Sequence, residues 1–296
     1  MHPIIKDFIN TGDRLHVILE KNYDKDQYLE FVFLKVAQGM LILEMDPELY
    51  IEIDQAIIEG HPDKSVYLLF LSLVIVAVSV RHKIERANAI KSIGDSFPRD
   101  GFHPVVQSYY VLAIATLKIA EGKTYEYLAL SKESLGLVSK MSPRYYHILL
   151  NLTGILAIEG RLNDIDKEDI DLLDSSPSKD EAYSLIWTEI KLNHNIVTGK
   201  YKEGIVLWNE YSTFPKALPY FIQGKSNTLK LLTGDFDEKH YQEEFYQFFA
   251  KAYHSLLNSD FKNALKYFHL SFNGSWKNIH TLMFERYLRL HIELSM

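Results

Sequence analysis

The chain has 296 residues, 47% of them hydrophobic and 24% charged, which is the balance of a folded protein and not of a disordered one. A net charge of −7 leaves no basic surplus to neutralise phosphates, so direct nucleic-acid binding is not expected. The absence of cysteine excludes disulfides, thiolate chemistry and cysteine-based zinc sites, and suits a reducing compartment.

Met1-His2-Pro3-Ile4-Ile5-Lys6-Asp7 has no basic stretch followed by an apolar one, so no signal peptide is expected and the cytoplasm is the expected location. Residues 1–23 read as a loosely packed opening helix, with Ile4, Ile5, Phe8 and Ile9 on its apolar positions. A denser helix follows over 26–45. Asp46-Pro47-Glu48 starts the next one, with Asp as N-cap and Pro in the first turn, and Gly60 ends it. His61-Pro62-Asp63 makes a break. Val66 to Val80 reads VYLLFLSLVIVAVSV, 15 residues without a charge. That is short for a bilayer crossing, which needs about 20, so a helix buried on nearly all sides is expected and no membrane span.

The run 64–81 pairs with 83–95 as a hairpin that closes at Ser96-Phe97-Pro98. Pro104 restarts the chain into 105–121, partnered by 124–139, and Ser142 caps a helix over 144–159. Asn163 to Asp174 is strongly acidic and reads as a short solvated helix with carboxylates near its positive end. A calcium loop is not expected there. Counted from Asp164, the sixth position is Asp169, where Gly is needed, and the twelfth is Ser175, where Glu is needed. Ser175-Ser176-Pro177-Ser178 is the most linker-like stretch. Helices are then expected over 179–197, 201–213, 217–232, 237–258, 260–273 and 276–294.

Polar turns punctuate these helices at near-even spacing. Their centres are His82, Gly122, Gly160, Gly199, Gly234 and Ser259, separated by 40, 38, 39, 35 and 25 residues. A period in the thirties is the signature of stacked helical hairpins, in which each unit buries its apolar face on its neighbours.

One segment carries a more specific pattern. In Phe248 to Phe272, Phe248 is followed four residues later by Ala252. After the turn come Phe261, Ala264 and Phe268. This arrangement resembles a tetratricopeptide repeat, where small residues let two helices approach and aromatics plug the remaining space. A weaker copy runs from Trp187 to Tyr211, with Gly204 and Trp208 at the small and aromatic positions, and Arg81 to Lys91 keeps Ile84 and Ala87. The resemblance covers roughly residues 64–273. It implies an all-α fold: a right-handed α-solenoid of stacked antiparallel hairpins, about six or seven in number. Residues 1–63 would form an N-terminal helical cap and 274–296 a C-terminal capping helix. The resemblance also implies protein or peptide binding, and it transfers no catalytic residue. The subtype that clamps a carboxylate places Lys in the first helix. The aligned residues here are Leu150, Glu189, Gly224 and Phe249, so that mode is not expected.

Enzyme signatures are missing. The 12 histidines form no HExxH and no i, i+4 pair with a third acid nearby. No G-x-S-x-G elbow is present. Gly122-Lys123-Thr124 resembles the end of a phosphate-binding loop, but Leu117 stands where the earlier glycine is required. The basic cluster Arg81, His82, Lys83, Arg86 and Lys91 reads as a solvated hairpin tip. Neither catalytic residues, metal nor cofactor is expected. The expected function is a non-enzymatic scaffold or regulator that holds a protein or peptide in a concave groove, as a monomer or homodimer. From the turn alignment, the groove-facing candidates are His147, Asn151, Glu189, Asn193, Phe221, Lys225, Tyr246 and Tyr253. The alternative is an acidic inhibitor or immunity-type protein that caps a basic partner enzyme or toxin through residues 163–181.

Overall fold

The computed structural model describes residues 1–11, 18–19, 28–42, 45–175, 181–212, 229, 248, 251–252, 254–256 and 258–270. The expected helices over 217–232, 237–258 and 276–294 lie wholly or mostly outside them. All secondary structure among the described residues is helical. The α-helices are α1 (Pro3–Thr11), α2 (Tyr28–Ile42), α3 (Pro47–Glu59), α4 (Lys64–Ser79), α5 (Ile84–Gly94), α6 (Pro104–Ala120), α7 (Thr124–Gly136), α8 (Pro143–Ile158), α9 (Lys167–Ser175), α10 (Glu181–Val197), α11 (Tyr201–Ser212) and α12 (Phe261–Leu270). No described helix is long and apolar enough to cross a membrane. The chain divides into two compact units, Met1–Leu152 and Thr153–Met296.

One backbone device recurs along the chain. His82, Gly122, Gly160, Gly199 and Ser259 all have φ between 58° and 78°. In each case that residue's N–H donates to the carbonyl three residues back, at 2.9–3.2 Å. The next N–H donates five residues back, at 2.7–3.0 Å: Lys83 to Val78, Lys123 to Lys118, Arg161 to Leu156, Lys200 to Asn195 and Asp260 to Ser255. This is the Schellman closure of a helix, made five times. In four of the five the following helix begins two residues on, at Ile84, Thr124, Tyr201 and Phe261. After Gly160 a short 3-10 turn, Leu162–Asp164, comes before α9. The turn expected at Gly234 lies outside the described residues.

In the first unit the caps expected at Asp46 and Ser142 are made, and Asp63, expected only as part of a break, is a third. Asp46 Oδ1 accepts from Leu49 N at 2.7 Å and Asp63 Oδ1 from Ser65 N at 2.8 Å. Ser142 Oγ accepts from Arg144 N at 3.2 Å. Helix α4 is apolar on every side, and Val66 to Ser79 is buried except for the half-buried Val76. It packs against α1, α2, α5 and α6. Each fully buried Leu, Val or Phe contributes about 1.5–3 kcal/mol, so covering this helix is a large stabilising contribution. Helix α6 pairs with α7 and lies along α4, so the first helices of two successive hairpins are neighbours. Helix α1 packs against both. Its Phe8 ring stands edge-on to Phe33 at 5.5 Å and to Tyr109 at 5.1 Å.

In the second unit α10 and α11 form a hairpin. Gly204 lets Leu229 approach so closely that an added Cβ would lie 2.7 Å from its Cδ2. Ala252 and Ala264 are buried, as the repeat pattern requires. Phe261 is not the expected plug, because it is 55% exposed. The described ring stacked on Phe248 is Tyr267, at 6.4 Å and 17°.

Backbone and packing set the expected effect of three substitutions. A Cβ at Gly94 would lie 2.5 Å from the Tyr110 ring, whose hydroxyl is fixed with its one proton shared between Lys91 O and Asp95 Oδ1, each 2.9 Å away. Gly94→Ala is therefore expected to destabilise the protein by about 1–3 kcal/mol in urea unfolding. Gly122 has φ +78° and open space around it. Gly122→Ala should cost about 1 kcal/mol from backbone strain alone, whereas Ser259→Gly, at φ 58°, should gain a similar amount.

Candidate functional site

Four of the groove candidates lie among residues whose side chains the structure describes. On α8, His147 is half-buried and Asn151 is exposed, with Asn151 Nδ2 donating back to His147 O at 3.0 Å. On α10, Glu189 is half-buried and Asn193 is buried. Asn193 Oδ1 accepts no hydrogen bond. Phe221, Lys225, Tyr246 and Tyr253 lie outside the described residues.

The basic cluster is a solvated tip in part: His82 and Lys83 are exposed, whereas Arg81 and Arg86 are half-buried and reach other helices. Arg81 donates to Ala77 O at 2.8 Å and to Gly39 O at 3.3 Å, which ties the first hairpin to α2. Arg86 donates to Tyr50 O at 2.7 Å and to Asp54 Oδ1 at 2.6 Å, which ties it to α3. Lys83 Nζ sits 3.9 Å from the centre of the Tyr50 ring. Arg81 and Arg86 satisfy backbone carbonyls of buried or half-buried residues and Lys83 covers a ring face, so these three cations staple helices together.

Among the described residues of the first unit, a buried polar cluster lies elsewhere. His2 precedes α1 and accepts the first helical bond, Lys6 N to His2 O at 3.1 Å. Glu30 is in the first turn of α2 and is 3% exposed. His61 stands in the break between Gly60 and Asp63 and is 5% exposed. These segments bring both imidazoles onto one carboxylate oxygen. His2 Nε2 is 2.9 Å and His61 Nε2 3.3 Å from Glu30 Oε1. The rings meet edge to face with centroids 5.6 Å apart. On its far side, His61 Nδ1 lies 3.0 Å from Asp63 N and 3.1 Å from Asp63 O. His2 Nδ1 is buried without a hydrogen-bond partner. A carboxylate this buried requires such partners, since an isolated one would be strongly disfavoured. The sequence reading passed over the three residues because 28 and 31 positions separate them, beyond any short ligand motif. The one local signal was a histidine inside a helix break.

The second unit holds another buried histidine. His194 follows Asn193 on α10, and its Nδ1 accepts no hydrogen bond. Burial lowers its pKa, nearby Lys200 adds to the effect, and a hydrogen bond to the Ala157 backbone opposes it. A histidine held neutral in the fold contributes stability that is complete above its unfolded pKa and is lost as pH falls through the lower folded value. His194→Gln should therefore flatten the loss of melting temperature between pH 7 and pH 5 relative to the parent chain, as followed by circular dichroism.

The acidic stretch is mostly a solvated face, as expected, with two additions. Asp169 and Leu173 turn inward from α9. Asp174 accepts from Trp187 Nε1 at 2.8 Å and from Lys191 Nζ at 3.1 Å, which ties α9 to α10.

The chain matches no protein-family model, no curated protein and no solved structure.

Proposed function

We propose that this chain is a non-enzymatic scaffold, a tetratricopeptide-like right-handed α-solenoid that binds a protein or peptide segment on the first helices of its hairpins. The supporting observation is the turn itself. One αL closure with the same pair of hydrogen bonds recurs at 82, 122, 160, 199 and 259. Four of those turns launch a return helix at the same offset. Repetition at that spacing is how helical-hairpin arrays build long binding faces. In the first unit α1 already packs against α4 and α6. The reading therefore assigns ligand contact to α8, through His147 and Asn151, and separately to α10, through Glu189.

Affinity capture from the native lysate, followed by mass spectrometry, supplies the partner for the test. With that partner purified, Asn151→Ala and Glu189→Ala should each weaken binding by about tenfold in calorimetry, while Lys123→Ala at a turn tip leaves it unchanged. Equal affinity in all three variants, or substrate turnover by the purified protein alone, would remove the reading.

A second reading rests on α9, which exposes Asp166 just before it and Glu168 and Asp171 along it. There the acidic face caps a basic enzyme. Its mark would be an association rate that drops at least tenfold from low to physiological salt, and drops less once Asp171 is replaced by Asn.

A further inference from the structure

We propose that His2, Glu30 and His61 form a binding site for a divalent first-row cation, with zinc as the matched ion. Two imidazole nitrogens and one carboxylate oxygen are a zinc-type donor set, whereas calcium and magnesium take oxygen ligands. The three ligand atoms already lie within 4.8 Å of one another. Ligand atoms each 2.0–2.1 Å from a tetrahedral ion stand roughly 3.3 Å apart. The two nitrogen-to-oxygen separations here are 2.9 and 3.3 Å and the two nitrogens lie within 4.8 Å of each other, so coordination needs side-chain rotation and no backbone rearrangement.

The surroundings also fit. With Nε2 protonated, His61 donates to Glu30 and accepts from Asp63 N. With Nε2 bare for the metal, the same proton sits on Nδ1 and donates to Asp63 O, 3.1 Å away. The Asp63 backbone therefore accommodates both tautomers, and an imidazole N–H on a backbone carbonyl is the usual outer support of a metal-bound histidine. Access is one-sided. The His2 side chain is 23% exposed, against 2% for His61 and 4% for Glu30. An ion enters past His2 and keeps a water as its fourth ligand. Once bound, it links the start of α1, the first turn of α2 and the break before α4, three segments that no local sequence contact joins.

The test uses the full-length chain, stripped with a chelator and titrated with Zn²⁺ against a chromophoric competitor. The expected result is one tightly held ion per chain and a melting temperature raised by roughly 5 °C at saturation. Co²⁺ in the same site should give the visible spectrum of a four-coordinate nitrogen–oxygen centre. His2→Ala should lower zinc affinity at least about 100-fold, and Glu30→Gln likewise, while His82→Ala leaves it unchanged. His2 is the primary variant because it is the most exposed of the three, and Co²⁺ spectroscopy on the parent chain decides the case even if Glu30→Gln misfolds. No retained zinc, an octahedral all-oxygen Co²⁺ spectrum, or tight zinc that survives His2→Ala would overturn the proposal and leave the cluster a hydrogen-bonded staple.

Discussion

The first unit depends on one constraint: α4 has no polar side. A helix buried all round must be covered from several directions at once, and each neighbour is then held by its own apolar stripe. Helices α1, α2, α5 and α6 meet that demand. The polar contacts follow the packing. Arg81 and Arg86 reach carbonyls on α2 and α3 because the covering helices bring those carbonyls near. His61 and Glu30 meet because α2 packs on α3 and α4. Tyr67, on α4 itself, keeps its hydroxyl satisfied by donating to Ile57 O at 2.7 Å.

Local chemistry was legible in the sequence wherever it acts over a few residues. Asp46-Pro47, Pro104 and Ser142-Pro143 mark helix starts because a cap needs only a side chain and the next two or three amides. Glycines 122, 160 and 199 mark helix ends because only they adopt the left-handed turn without strain. The burial of α4 follows from composition alone. What escaped depends on distance in space. Phe261 follows the repeat spacing yet points outward, because the described ring on Phe248 comes from Tyr267. The basic residues after α4 read as solvated because their acceptors lie 32–42 positions earlier.

The candidate sites divide along the same line. The groove positions came from counting residues from a turn, and such counting places a residue on a helix but not in a neighbourhood. Asn193 shows the limit, since it is buried beside His194 on α10. The His2–Glu30–His61 cluster is the reverse case. Nothing in the order of letters joins the three residues, yet a buried carboxylate with two imidazoles on one oxygen is among the most specific arrangements in the first unit. Charge burial is the physical reason: a carboxylate removed from water collects donors from whatever segments pass by.

The hairpin closures have a consequence for which residues can stand at them. Each is held by main-chain amides and carbonyls, with one residue in the left-handed region and no side chain in the hydrogen bonds. At Gly122 and Gly199 no atom lies within contact range of where a Cβ would stand, and at Gly160 only Thr198 Cγ2 does, at 3.7 Å. The tips therefore make one demand on the letters, a residue that tolerates the left-handed turn, and leave the side chain at that position otherwise free of packing at Gly122 and Gly199. A closure that main-chain atoms make by themselves can thus recur at five places with different residues on either side of it.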